Sequence, residues 1–484
     1  MDRVVAVVVK VMVAWARLIA IMPFTRRKVN YWSKGAKLKI LLVGYNGARN
    51  TGADVRVAAI VDQLEEMYEK DRIEISVMTL DIDNFKGYFK PYINLIKFSS
   101  IFFFDVLKAC SNHHVAILCE GSTLKSKFAN ALTLFYCETA GIMKAQRKPC
   151  IAYGSEAGEM EPFLKKVVQK LFSEVYFIAR TQNSLETVQA LGIKGHRGTD
   201  TAWTFVASDK GNKVFTELYK KGWDGKKPLI GVAPINPFWW PVKPSLWKYF
   251  ISFVTGNRDL QFQKWYFFSW SKDRKHRYEK YLTELAKAIN EQVYMNETHV
   301  VIIGMEQLDE AACLRLAELL DQPASILLSR EHDGFELAKI LQSLSLLITS
   351  RYHACVLAMD ASVPTVAVSM DERLDNIIEE LGYTKEILCS VNDPDLAYRI
   401  RMAIEFLESH SKSVRAKTEE QVAEYLLTMQ SMGNFLRAYI AQVFPTYEEA
   451  RYTTVFEHLR EEISGNGALQ SCATLEDGEF FHEA

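Results

Sequence analysis

Between positions 351 and 373 the chain carries Arg351, Tyr352, His353, Asp371 and Arg373. A guanidinium is a planar fork that grips both oxygens of a carboxylate or phosphate. An imidazole titrates near neutrality and suits proton transfer. Two such forks beside an imidazole therefore point to the binding of an anion and a proton transfer next to it, with Tyr352 placed to contact the same ligand. A second stretch, Gly44, Gly47, Asn50 and Gly52, has the glycine density of a turn that exposes backbone N–H groups and admits close approach of a ligand. It is neither GxGxxG nor a P-loop. Asp81 and Asp83 stand at the spacing of a divalent-cation pair, but acids after a strand are ordinarily a solvated loop. The eight cysteines form no CxxC or Cys/His cluster, so no metal site is expected.

The elements that must position these groups follow from short apolar runs. Leu346–Thr349 reads as a strand, Ser350 as a cap for a helix over Tyr352–Asp360, Val363–Ser369 as a second strand and Asp375–Leu381 as the start of another helix. That is a βαβ unit with Arg351–His353 and Asp371–Arg373 at its two strand ends, where open parallel sheets bind ligands. Leu38–Val43 is a buried strand running into the glycine turn and a helix through Met67. Ile73–Leu80, Val115–Cys119, Pro149–Gly154 and Val175–Ala179 continue a first set of strands. Leu229–Ala233, Val300–Gly304 and Ala324–Leu328 begin a second set, after a charged Asp209–Lys227 stretch that reads as a linker.

The Arg351 segment resembles the polysaccharide pyruvyl transferase family, whose hallmark is a strand ending in Arg-x-His, a small-residue helix, a G/S-V-P-x-V turn and a strand leading to an acid and a cation. Here these are Arg351–Tyr352–His353, Ala354–Ala361, Ser362–Val366, Asp371 and Arg373. The Gly44–Asp54 run is similar to the family's N-terminal motif, with Ala53 in place of its first acid and Asp54 keeping the second. Glu120–Gly121–Ser122 stands where the family has a run of glycines. The resemblance carries over Arg180, with Thr181 where the family has Asp, then Ser184 and Leu191–Gly192, and Asp200 within Gly198–Ala202. For Asp200 an Asx turn is the competing explanation.

The resemblance implies an α/β fold of two Rossmann-like doubly wound domains, similar to GT-B glycosyltransferases. It also implies transfer of a pyruvyl group from phosphoenolpyruvate onto a sugar as a ketal, with no cofactor. Arg180 and Arg351 would clamp the anion, Arg373 would support them, and His353 would bind phosphate or donate a proton. The base for the acceptor hydroxyl is left open among Asp200, Asp371 and Glu156. Two rival readings stand beside this one: a GT-B glycosyltransferase using a nucleotide sugar, and a non-catalytic, membrane-tethered assembly partner.

At 484 residues the chain needs more than one core. The expected units are a helix and linker over 1–36, a domain over 37–210, a second over 225–395 with an aromatic-rich insertion at 236–275, and bracing helices over 396–484 that end in a mobile tail over 466–484. A net charge of −1 excludes a global basic field for nucleic acid. Reduced thiols suggest a cytoplasmic protein.

Val4–Met22 is apolar, but Arg3, Lys10 and Arg17 recur every seven residues, a stripe roughly 40° wide on a helix. With Arg26–Lys28 it reads as a helix lying on an anionic membrane at the inner face, the alternatives being a span or packing on the protein body. Lys10 splits the apolar run, against a signal peptide. The acceptor is expected to be a glycan or lipid-linked sugar, and self-association into a homo-oligomer is left open. The aromatic insertion could pack internally, stack on sugars or touch lipid.

Overall fold

The computed structural model describes residues 1–258, 260–263 and 265–444. The tail expected to be mobile, 466–484, lies outside the described residues. Seven parallel strands form the first sheet: β1 (Leu38–Val43), β2 (Ile73–Thr79), β3 (Asn94–Lys97), β4 (Val115–Leu118), β5 (Cys150–Ser155), β6 (Tyr176–Ala179) and β7 (Gly195–Arg197), in the order β3-β2-β1-β4-β5-β6-β7. The continuous apolar runs of β1 and β4 follow from burial on both faces by crossover helices.

The second domain starts at β8 (Leu229–Ala233). After a small antiparallel sheet of β9 (Lys243–Pro244), β10 (Gln261–Gln263) and β11 (Tyr266–Phe267), it continues with β12 (His299–Gly304), β13 (Ser325–Leu328), β14 (Leu346–Thr349), β15 (Thr365–Ser369) and β16 (Leu388–Ser390). Its main sheet is parallel, in the order β13-β12-β8-β14-β15-β16.

Both sheets reverse their strand order beside their first strand, between β1 and β4 and between β8 and β14. Crevices at such switch points are where doubly wound sheets take ligands. The loops leaving both switch points converge on one interdomain cavity.

The Asp209–Lys227 stretch is not a free linker. It holds a helix, Lys213–Lys220, whose Val214 and Leu218 lie one turn apart and bury against the Gly334–Gln342 helix. The long Ser411–Val443 helix returns to the first domain, stacking Tyr425 on Trp203 at 4.4 Å and Phe435 on Tyr176 at 4.6 Å.

The N-terminal helix Asp2–Ile21 sits on the Asn130–Ala145 helix through Ala6, Val9, Met12 and Ala16, while its opposite face stays exposed. It is long and apolar enough to cross a membrane by length and composition. The aromatic insertion divides three ways: Phe238 and Phe268 are buried, Trp240, Phe262, Trp265 and Tyr266 face the cavity, and Trp247 and Phe250 are exposed. Seven described cysteines are free and buried.

Candidate active site

The cavity between the domains has ≈ 1510 Å³ of space, part of it open to solvent. Gly44, Asn50, Gly52, Arg180, Arg351, Tyr352, His353 and Arg373 all line it, brought together from both domains. Its floor begins at the N-terminus of the Thr51–Met67 helix, capped by Asn50, whose Oδ1 accepts from Ala53 N at 3.2 Å. The dipole of that end favours an anion.

Gly52 is required for the fit across the domains, because a Cβ there would lie 2.0 Å from His353 Nδ1. Gly47 shapes the turn instead: it has φ +74° and a Cβ would collide with Thr79 Oγ1. It lies outside the lining.

Beneath the cavity Asp200 is fully buried and receives three groups. Arg180 Nη1 donates to its Oδ2 at 2.8 Å, Arg56 Nε approaches its Oδ1 at 3.1 Å, and His353 Nε2 stands 3.5 Å from Oδ2. Ala202 N also donates to Oδ1, so the Asx-turn contact and the charge cluster coexist. Burial by itself would raise the Asp200 pKa, but Arg56, His353 and Arg180 overcome it and hold the carboxylate well below its ordinary range. Burial lowers the His353 pKa, against the opposing pull of Asp200, so the imidazole is neutral at neutral pH. Arg180 also pairs with Glu156, lies 4.6 Å over the Tyr352 ring, and reaches the cavity wall.

Arg56 was not singled out by the sequence analysis. Its Nη2 donates to Gly154 O at 2.6 Å, whereas Arg56 Nη1 and Arg180 Nε find no acceptor among the described residues. Gly121 lines the cavity directly in front of both guanidiniums, since a Cβ there would sit 2.6 Å from Arg56 Nη1 and 3.0 Å from Arg180 Nη1; of the two, Arg180 reaches the lining and Arg56 lies behind it. The available signal was a lone cation inside the small, apolar helix that follows the glycine turn. Glu120, also missed as a functional group, lines the cavity and accepts from Tyr45 N at 3.1 Å and Ser122 N at 3.3 Å.

The remaining candidates divide by their partners. Arg351 lines the cavity, but its fork is taken: Nε donates to Asp309 Oδ2 at 2.7 Å and Nη2 to Glu306 Oε2 at 2.9 Å. It braces the β12 loop against β14 through Nε and Nη2. Asp371 lies outside the lining, gripped by Arg373 at 2.9 and 2.8 Å and by Lys127 at 3.0 Å. Burial raises its pKa, but those cations outweigh it and keep the carboxyl ionised, which unsuits it as a proton donor. Arg373 reaches the cavity with 5.1 Å to the Phe128 ring. Ser184 is buried away from the cavity, its Oγ bonded to Ala157 O and N at 3.1 Å, a structural role at the end of β6. Lys125, buried between Glu156 and Glu372, joins the two domains.

Two facing Rossmann-like domains with a cavity at their paired switch points define a GT-B architecture. The chain belongs to the polysaccharide pyruvyl transferase family, whose model matches residues 50–372. None of the curated proteins matches it. Among solved structures it is similar to a Listeria monocytogenes protein assigned as a UDP-N-acetylglucosamine 2-epimerase (15% identity, 85% of this chain, 97% of that one, TM-score 0.53). It is also similar to the UDP-GlcNAc 2-epimerase of Neisseria meningitidis bound to UDP-GlcNAc (8%, 81%, 100%, 0.52). Anabaena Alr3699/HepE in complex with UDP-glucose is a third (10%, 83%, 100%, 0.50). At such identities these likenesses show the fold alone.

Proposed function

We propose that this transferase moves a pyruvyl group from phosphoenolpyruvate onto two hydroxyls of a glycan or lipid-linked sugar as a ketal, with release of phosphate and no cofactor. The observation that carries the reading is buried Arg180 on the cavity wall, backed by Arg56 just behind Gly121, both with unpaired N–H groups, facing His353 on a helix N-terminus. Such donors suit a small dianionic or trianionic ligand.

In the reaction C3 of phosphoenolpyruvate gains a proton and becomes a methyl group, and a sugar oxygen bonds to C2. The C2–O bond to phosphate then breaks, and a second hydroxyl oxygen closes the ketal. Of the two hydroxyl protons lost, one balances C3 and one leaves with phosphate. In this reading the neutral His353 takes the proton of the attacking hydroxyl, and Asp200, 3.5 Å away, stabilises the resulting imidazolium. Asp200 is a positioning residue, because it lies beneath the cavity. Arg180 holds the anion, Arg56 adds its charge from behind Gly121, and Tyr352 orients Arg180 through its ring.

The enzyme is proposed to work in the cytoplasm, peripherally on the inner face of the membrane. The exposed Arg3, Lys10, Arg17 and Arg26–Lys28 on and after the first helix support attraction to anionic lipid. Incubation with phosphoenolpyruvate and a panel of free and lipid-linked glycans tests the reaction. Phosphate release matched by a ketal on the glycan is expected. Turnover of a nucleotide sugar, with phosphoenolpyruvate left intact across the panel, would contradict it.

A further inference from the structure

The Leu246–Thr255 helix, LWKYFISFVT, breaks the usual rule for a helix in water. Leu246, Trp247, Phe250, Ile251, Phe253 and Val254 are between 43% and 71% exposed, and Ser252 is the helix's buried residue. A helix apolar nearly all round is a membrane or interface element. It is well anchored at its base. Ser245 caps it, Tyr249 packs on Trp265 at 4.7 Å, and Gly256 ends it in the left-handed conformation.

That base reaches the first helix, where Tyr266 Oη donates to Asp2 Oδ1 at 2.7 Å. The first helix presents a second apolar stripe through Val4, Val7, Val11, Trp15 and Leu18, about 180° from the face packed on the protein. Phe104 extends that stripe, meeting Trp15 at 5.9 Å and remaining 60% exposed. The supports of both helices are cavity walls, with Phe135 from the Asn130–Ala145 helix and Phe262 and Tyr266 from the small sheet. Exposed cations flank the two stripes: Lys10 and Arg17 beside one, Lys243 and Lys248 beside the other.

We infer that the Leu246–Thr255 helix is a second bilayer-docking element, which joins the outer face of the Asp2–Ile21 helix in one surface for anionic lipid beside the cavity. A basic collar around exposed aromatic and aliphatic side chains matches an anionic headgroup layer above hydrocarbon. A second copy of the chain, carrying the same basic collar, would repel itself there. The inference extends the membrane location proposed above and does not depend on the phosphoenolpyruvate reaction.

The test uses the full chain and vesicles of phosphatidylcholine with or without phosphatidylglycerol. Wild type should sediment with the anionic vesicles. A Trp247→Ser, Phe250→Ser, Phe253→Ser variant should bind them at least about tenfold more weakly, with an unchanged unfolding temperature and unchanged phosphoenolpyruvate affinity. Trp247→Phe, which preserves the apolar surface, gives a reading that needs no destabilised protein. It should remove part of the fluorescence quenching that brominated lipid produces in wild type. Undiminished vesicle binding by the triple variant, or quenching unchanged in Trp247→Phe, would overturn the inference. So would a wild-type dimer that the triple substitution converts to monomers without any vesicle binding, since the helix would then cover a second copy.

Discussion

A Cβ added at Gly52 would lie 2.0 Å from His353 Nδ1, 2.5 Å from Cγ and 2.6 Å from Cε1, against 3.4 Å for ordinary contact. The neighbour it meets is the imidazole ring itself, so Gly52→Ala forces the ring away by about 1.4 Å. Alanine is otherwise favourable at this helical position, by up to about 1 kcal/mol. Overpacking costs about 1–3 kcal/mol. The balance is a loss of about 0–3 kcal/mol, and the unfolding temperature should fall by about 10 °C at most, at about 2–4 °C per kcal/mol for a domain of this kind. A misplacement of about 1 Å in a reacting group costs about 10²-fold in rate. Phosphate release from phosphoenolpyruvate should therefore fall by about a hundredfold in kcat while the fold survives. A folded Gly52→Ala protein turning over within about threefold of wild type would refute the placement of His353 in the chemistry.

Other outcomes follow from the same contacts. Arg351→Gln should lower the unfolding temperature more than it lowers phosphoenolpyruvate affinity, because it leaves the buried Asp309 and the Glu306 carboxylate without their cation. A calorimetric titration beside a melting curve separates the two effects. His353→Gln should reduce kcat by about 10²–10⁴-fold. Since burial lowers the His353 pKa, the wild-type base is lost only at a pH below the ordinary histidine range, and that acidic limb should vanish from the variant's pH profile.

Asp54 lies behind the glycine turn with Oδ1 accepting from Gly47 N at 3.1 Å, and burial lifts its pKa from 3.8 to about 7. The folded state therefore holds the proton more tightly, and stability is lost as pH rises from 3.8 towards about 7. Asp54→Asn should raise the unfolding temperature relative to wild type at pH about 8 and leave it nearly equal near pH 4. Equal melting shifts at both pH values would count against a buried, protonated Asp54.

Much of the scaffold was legible because parallel strands buried on both faces write themselves as apolar runs. Leu38–Val43, Leu229–Ala233 and Leu346–Thr349 fall at the expected residues. Strands such as Asn94–Lys97 and Gly195–Arg197 were not legible, since edge positions carry polar residues and no periodic signal. Arg180, Tyr352 and His353 reach the cavity as expected. Arg351 also reaches the cavity, but the carboxylates that hold its Nε and Nη2 were not legible. Its acceptors Asp309 and Glu306 lie 42 and 45 positions upstream, and only the pairing of β12 and β14 around β8 brings them to it. Arg56 hid for the converse reason: a cation on a helix reads as solvent-facing until the second layer of structure covers it. The helix Leu246–Thr255 was legible as aromatic density, but packing alone decides which aromatics are buried, which line the cavity and which are exposed.

The most direct test of the central claim is a calorimetric titration of phosphoenolpyruvate into wild type, Arg56→Gln and Arg180→Gln, with UDP-GlcNAc as the competing ligand. Removal of a charge-assisted hydrogen bond to a buried anion costs about 1.5–3 kcal/mol, or at least about tenfold in affinity. Wild type should bind phosphoenolpyruvate in preference to the nucleotide sugar, and each glutamine variant should bind it at least about tenfold more weakly while remaining folded. Wild-type affinity in both folded variants, or binding of the nucleotide sugar alone, would contradict the account.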